Sequence, residues 1–349
     1  MSKKINRATP ILVTGGTGYL ASWIIKLLLD EGLCVRATVR DKSNMEKNKH
    51  LIKLGDENKG SLELFEADLL EDGTFDKAMN DCELVFHTAS PFKILGIKNP
   101  QKELIDPALK GTNNVLYSVN KTSSVKRVVM TSSTAAIYGD ASETTNKPLD
   151  EKSWNTTSSI KNMPYLFSKR LAEEKAWEIV KSQNRWDLIT MNPGQINGPS
   201  LSKRTDSTSI DFMLSMLNGK YKYGLPDLTY PLVDVRDVAK AHLLGAFTPN
   251  ASGRHILAVD NPLSYLEIAK TLKDVYGDKY PVPTRNVPNI IMYLIAPFMK
   301  IKWSYLKNNL GIKPQVDNSY GKKDLDIRYM SAKKTILDHA EQIINDGLI

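Results

Sequence analysis

Cysteine is scarce in this chain: its 349 residues include two, Cys34 and Cys82. Neither has a partner at CxxC spacing, so no zinc site or other metal centre is expected. No disulfide framework is indicated, which fits a reducing compartment and a cytoplasmic protein. Cys34 falls in an apolar strand-like run, Leu33 to Arg40, as a small core residue would. Long hydrophobic runs are missing as well. The longest, Ile290 to Met299, contains Pro297 and ends at Lys300. A spanning helix needs about 20 apolar residues, so this run reads as a helix packed in the C-terminal part, with contact at a membrane surface the lesser alternative and no membrane partner expected. Met1 to Pro10 carries charge but no apolar core, which does not fit a signal peptide. Lysine and arginine outnumber aspartate and glutamate 47 to 39, for a formal net charge of +8. The cations are scattered, and no basic run is interleaved with aromatics, so nucleic acid is not an expected partner. A mildly basic surface suits a small anionic ligand. The GxxxxGK[ST] loop of nucleoside triphosphatases is also absent. With 25% charged and 41% hydrophobic residues, the balance is that of a soluble globular chain.

What is present is an alternation. Strand-like runs at Pro10–Thr14, Leu33–Arg40, Leu62–Ala67, Leu84–Thr88, Arg127–Thr131 and Asp187–Met191 are separated by helix-like runs. The helical runs are Tyr19–Glu31, Met45–Leu54, Glu103–Asn120 and Pro164–Ser182. The pattern predicts an α/β fold, a doubly wound parallel sheet with helices on both faces. After Asn192 the rhythm breaks into a Pro-, Gly- and Ser-rich loop, 193–203. Helices are expected at Ile210–Leu217, Val238–Phe247 and Ser264–Tyr276, and extended segments at Tyr230–Val235 and His255–Val259. The division expected is a nucleotide-binding domain over 1–193, with about 233–260 returning to its sheet, and a smaller, mostly helical substrate-binding part over 194–349 interleaved with it.

Ligands of such sheets sit beyond the carboxyl ends of the strands, and the motifs fall there. Thr14-Gly15-Gly16-Thr17-Gly18-Tyr19-Leu20-Ala21 joins the first strand to the first helix. Gly15 permits the tight turn, Gly18 lets backbone approach a pyrophosphate, and Ala21 lets helix pack on strand. The helix start, with Thr17, Gly18, Tyr19 and Leu20, offers unpaired N–H groups to the anion. The end of the second strand reads Thr38-Val39-Arg40-Asp41. An acidic residue there suits the ribose hydroxyls of NAD, and an arginine suits the 2′-phosphate of NADP. Arg40, with Lys47 nearby, points to NADPH (NADP+) over NADH, and Asp41 is the competing signal. Asp68, followed by Leu69, is placed to accept from the adenine amino group, its alternative being a helix N-cap with Glu71. His87-Thr88-Ala89-Ser90-Pro91 follows the fourth strand beneath the phosphates and ribose, with His87 read as a packed histidine.

Tyr165 and Lys169 stand four positions apart, one turn of a helix on one face. A nearby ammonium eases proton loss from a phenol, so the pair suits proton transfer at a carbonyl or alcohol oxygen. Thr131-Ser132-Ser133-Thr134 ends the fifth strand. The glycine loop, these hydroxyls and the Tyr-Lys pair, in that order, resemble the extended short-chain dehydrogenase/reductase family. VRATVRD (35–41), DEKSW (150–154), YLFSKRLAEEKAW (165–177), NPGQINGPSL (192–201), VDVRDVAKAH (233–242) and VDNS (316–319) are similar to its dihydroflavonol 4-reductase, cinnamoyl-CoA reductase and aldehyde/carbonyl reductase branch. The resemblance spans nearly the whole chain. It implies a Rossmann fold and NADPH-dependent reduction of a small-molecule carbonyl substrate, by a monomer or homodimer. Tyr165 would be the proton donor, and Lys169 would hold the nicotinamide ribose. Counting from the strand makes Ser133 the catalytic hydroxyl; counting back from Ala136-Ile137-Tyr138-Gly139 makes it Thr134. Thr131, Pro193 and Ile196 would lie beside the cofactor, and Asn114 in Gly111-Thr112-Asn113-Asn114 would link to the site through water or serve structure alone. Gln195 stands where an apolar residue is expected. Phe92, Tyr138, Met163, Phe212, Met216 and Tyr223 are candidate pocket walls. A nucleotide-sugar epimerase or dehydratase, and a non-catalytic NADP-sensing protein, are the competing readings.

Overall fold

Strands buried on both faces can pair only inside a layered structure, and that is what the chain builds. A computed structural model describes residues 3–91, 96–299 and 301–349. Its first half runs β1 (Ile11–Val13), α1 (Tyr19–Asp30), β2 (Cys34–Val39), α2 (Met45–Glu57), β3 (Ser61–Glu66), α3 (Asp76–Met79), β4 (Leu84–His87), α4 (Asp106–Lys121), β5 (Arg127–Thr131), α5 (Pro164–Lys181) and β6 (Asp187–Pro193). The second half runs β7 (Gln195–Asn197), α6 (Thr208–Leu217), β8 (Thr229–Tyr230), β9 (Leu232–Asp234), α7 (Val235–Phe247), β10 (Gly253–Leu257), β11 (Leu263–Ser264), α8 (Tyr265–Tyr276), α9 (Asn289–Ile295), α10 (Trp303–Asn309), α11 (Ser319–Leu325) and α12 (Ala332–Asn345).

Seven parallel strands form the central sheet in the order β3-β2-β1-β4-β5-β6-β10. The order reverses between β1 and β4, which opens a crevice at their carboxyl ends. One face of the sheet is covered by α1 and α7, through Ile24, Leu28, Val238 and Ala241 among others. The other is covered by α3, α4 and α5, through Met79, Val115, Leu116 and Ala176. A separate core joins α6, α8 and α12 around Met213, Leu272 and Ile336. No helix among the described residues is long and apolar enough to cross a membrane.

Three departures from the sequence reading have local causes. The expected helix Glu103–Asn120 is instead a wide turn over Gln101–Ile105 followed by α4 from Asp106. Pro107 has no N–H for an i−4 bond, so the regular helix starts around it. The extended segment Tyr230–Val235 splits into β8 and β9. β8 pairs with β11 and β9 with β7, so neither joins the main sheet. Helix α7 begins at Val235, three residues earlier than expected. Buried Asp234 caps it by accepting from the Arg236 N–H at 2.8 Å.

Candidate active site

The glycine loop lies at the sheet reversal. Gly15 has φ +69°, and a Cβ there would come within 3.0 Å of the Ala89 Cβ. Only glycine fits both the left-handed backbone and the close approach of the β4 loop. Gly15 N–H donates to Thr38 Oγ1 at 3.0 Å, and Gly16 N–H to the Thr38 carbonyl at 2.7 Å. We expect Gly15→Ala to destabilise the fold by about 1–2 kcal/mol, read by urea unfolding, because the new side chain is strained at positive φ. Helix α1 starts at Gly18 with no side-chain cap and no acidic residue in its first turn. Its first N–H groups are therefore free to meet an anion. Leu20 is buried behind them, and the Tyr19 hydroxyl turns away to donate to the Gly198 carbonyl at 2.5 Å.

Thr14 ties β1 to the β4 loop. Its Oγ1 accepts from the N–H groups of Thr88 and Ala89, both at 3.1 Å, and Thr88 Oγ1 donates to the Thr14 carbonyl. With both lone pairs engaged, the Thr14 proton points to His87 Nδ1, 3.1 Å away. Burial, with the Lys169 ammonium a smaller cause, pushes His87 down to about 4. His87 is thus a neutral, packed strand-end histidine at pH 7.

The residues expected at the adenosine end are mostly exposed. Arg40 and Lys47 are solvent-exposed, and the Arg40 guanidinium has no ion pair or hydrogen bond among the described residues. Asp41 is already engaged: its Oδ1 accepts from Ser43 N at 2.9 Å and Ser43 Oγ at 2.6 Å, which holds the carboxyl below its ordinary range. Asp68 Oδ1 caps its own turn by accepting from the Leu70 N–H at 2.7 Å. Leu69 packs half-buried against Gly111. Asn114 bonds the loop after β3. Its amide nitrogen donates to the carbonyls of Asp68, Leu69 and Glu71, and its oxygen accepts from the Gly73 N–H. It fastens the loop after β3, the structural one of the two roles.

Tyr165 and Lys169 lie on the first two turns of α5, which packs against the short helical turn Thr134–Ala136 after β5. The helix begins at Met163, in left-handed backbone at φ +52°, with Pro164 at its first position. Lys169 Nζ donates to Ser90 Oγ at 2.9 Å and stands 5.7 Å from the Tyr165 ring centre. Burial pushes Lys169 down to about 8 and the Tyr165 phenol up. The sequence reading expected the ammonium to lower the phenol. Here enclosure dominates instead. Of the hydroxyls after β5, Thr131 Oγ1 bonds buried His242 Nε2 at 2.8 Å, beneath α7. Ser132 Oγ donates to buried Glu173. Thr134 is buried and bonded to the Tyr138 phenol. Ser133 is half-exposed, its Oγ accepting from the Ala135 N–H at 3.1 Å. Pro193 ends β6, and Ile196 sits half-buried in β7, beside half-buried Gln195.

The pocket-wall candidates separate. Phe212 and Met216 belong to the core under α6 and α8, with Phe212 packed on Tyr265 at 4.6 Å between ring centres. Tyr223 is 75% exposed. Tyr138 and Met163 stay next to Thr134 and Tyr165. Phe92 lies outside the described residues.

Two features have no counterpart in the sequence reading. Arg204, on the loop after Pro199, donates to the Thr17 carbonyl at 2.9 Å. The Trp23 indole donates to the Pro199 carbonyl at 2.8 Å, so this loop is pinned to the glycine turn. The second is Glu173, fully buried two turns beyond Tyr165 on α5. It pairs with Arg254 Nε of β10 at 2.6 Å and accepts from Asn192 Nδ2 at 2.7 Å as well as Ser132. Arg254 stacks on Trp154 at 3.8 Å. Asn192 in turn donates to the Ser133 carbonyl at 3.1 Å. The knot locks α5 to the ends of β5, β6 and β10. Glu173→Gln leaves a buried guanidinium uncompensated, and we expect a loss of about 3 kcal/mol in urea unfolding. A loss under about 1 kcal/mol would contradict this role.

Comparison with known proteins bears on the site. The NAD dependent epimerase/dehydratase family model matches residues 11–258. A cinnamoyl-CoA reductase of Medicago truncatula is 44% identical over 274 residues, 78% of this chain and 82% of the relative. Gre2 of Candida albicans, solved in complex with NADPH, superposes with a TM-score of 0.79 at 30% identity, covering 97% of this chain and 99% of that one. The yeast methylglyoxal/isovaleraldehyde reductase Gre2, also complexed with NADPH, gives a TM-score of 0.78 at 28% identity over 97% and 100% of the two chains. The chain belongs to the NAD dependent epimerase/dehydratase family, the extended branch of the short-chain dehydrogenases/reductases.

Proposed function

We propose that the protein reduces an aldehyde or ketone to an alcohol with NADPH. The observation that carries this is the convergence of Tyr165, Lys169, Ser90 and the Thr131–Thr134 segment beside the glycine loop. The reductase relatives, two of them solved with NADPH, support it. The residues fit a dinucleotide: Gly15 makes the tight turn against Ala89, and the α1 terminus lacks a side-chain cap. The N–H groups of Tyr19 and Leu20 would hold the pyrophosphate, with Thr17 and Gly18 beside them, the Gly18 N–H closing the turn onto the Gly15 carbonyl at 2.8 Å. Arg40 and Lys47 would face the 2′-phosphate, and Asp68 and Leu69 the adenine. Thr88, Ala89, Ser90, the Thr131 backbone, Pro193 and Ile196 would line the ribose and nicotinamide.

NADPH held there would supply the hydride for the carbonyl carbon. Tyr165 donates its proton to the carbonyl oxygen as negative charge develops there, and Ser133 Oγ donates a hydrogen bond to the same oxygen. A phenol held protonated by burial is in the right state for reduction. Lys169 supports the developing phenolate and holds the ribose. A lysine pushed down to about 8 loses its charge as pH rises through that value. The kcat/KM for reduction is therefore expected to be flat below pH about 8 and to fall above it. A profile flat to pH about 10 would remove Lys169's charge from the mechanism.

Consumption of NADPH, followed by absorbance against aldehydes, ketones and 2-oxo esters with NADH in parallel, tests the proposal. Epimerases of this family return their hydride, so they consume no cofactor. Net NADPH loss with a carbonyl compound favours reduction; binding without loss opposes it.

A further inference from the structure

Helix α9 is apolar all round, Asn289-Ile290-Ile291-Met292-Tyr293-Leu294-Ile295, yet it lies at the surface. Its inner face is satisfied: Met292 and Ala296 pack on Leu306 and Leu310. Its outer face is not. Ile290 and Leu294 are 70% and 67% exposed, one helical turn apart, and the row continues to Phe298 at 89%. Met299 is also exposed, and so is Trp303, whose indole donates to the Tyr293 carbonyl at 3.1 Å. A surface helix of a soluble domain ordinarily turns polar residues outward, and a contiguous apolar face marks an interaction site.

Charge indicates what covers it. Between Asp278 and Asp317 there is no Asp or Glu, but six Lys or Arg, against a net charge of +8 for the whole chain. Arg285, Lys302 and Lys307 are exposed and have no ion pair among the described residues. Lys302 adjoins Trp303, and Lys307 follows one turn later. A second copy packed on this face across a two-fold axis would set these cations against themselves. An anionic lipid surface neutralises them and accepts the apolar row. We propose that the outer face of α9, with Phe298 and Trp303, docks the protein on an anionic bilayer surface. The sequence reading favoured a packed helix over membrane-surface contact, and the exposure of this row is what favours the second.

The test uses the full chain with phosphatidylcholine vesicles, with and without about a third phosphatidylserine, in a flotation assay. Binding is expected to be about tenfold stronger on the anionic vesicles and to weaken in high salt. Leu294→Ser with Phe298→Ser should abolish it without changing NADPH turnover, and Lys302→Glu with Lys307→Glu should weaken it about tenfold or more. No binding by the native chain would overturn the proposal, as would undiminished binding by the serine variant. So would a concentration-dependent dimer in sedimentation that the serine variant dissociates, which would make a second copy the occupant.

Discussion

Tyr165→Phe is expected to lower kcat for carbonyl reduction by about 10²–10⁴-fold, the range that one positioned proton donor contributes. NADPH affinity, read by fluorescence titration, should stay within about twofold, since the ring remains and only the hydroxyl is lost. The prediction rests on where the phenol is built. Pro164 starts α5, and Tyr165 sits in its first turn against the segment after β5. Burial holds the phenol protonated, and Lys169 is positioned by Ser90 at 2.9 Å. Full activity in the variant would exclude Tyr165 as donor. Equal losses of activity and NADPH affinity would mean that the phenol serves binding.

Arg40→Ala is expected to raise the KM for NADPH by about 10–100-fold, the worth of a charge-assisted hydrogen bond, while changing that for NADH little. Two neighbouring positions decide this. Asp41, the residue that would favour NADH, is engaged by both the N–H and the hydroxyl of Ser43. Arg40 lies exposed at the end of β2 with no ion pair among the described residues, so its guanidinium is available to a phosphate. Steady-state kinetics with both cofactors reads the outcome. An unchanged preference would make Arg40 a solvated loop charge.

The parts of the site that sequence made legible are those in which one residue type answers one local demand. Gly15 is needed because φ is positive and Ala89 is close. The inner strands β1 and β4 were legible because they are buried on both faces and read as short apolar runs, while β3, at the sheet edge, carries exposed Ser61, Glu63 and Glu66. What sequence did not reveal depends on partners far along the chain. Glu173 looks like any acid of the Ala172-Glu173-Glu174-Lys175 run until Arg254, 81 positions later, is folded against it. Asn114 faced two roles from sequence, and the loop carbonyls that give it a structural one come from the turn after β3, more than forty positions before it. Phe212 and Met216 had the right chemistry for a pocket wall, but α8 covers them. Arg204 comes to Thr17 because the loop before it is held by Trp23 and Tyr19, a contact with no local signature.

The most direct test of the central claim is hydride tracing. NADPH deuterated at the transferring position is mixed with a turned-over carbonyl compound, and the product is read by mass spectrometry. Reduction with Tyr165 as proton donor places a single deuterium on the carbinol carbon, with the hydroxyl proton coming from solvent through Tyr165. Product that forms without deuterium, with the label still in the cofactor, would contradict it and indicate redox-neutral chemistry instead.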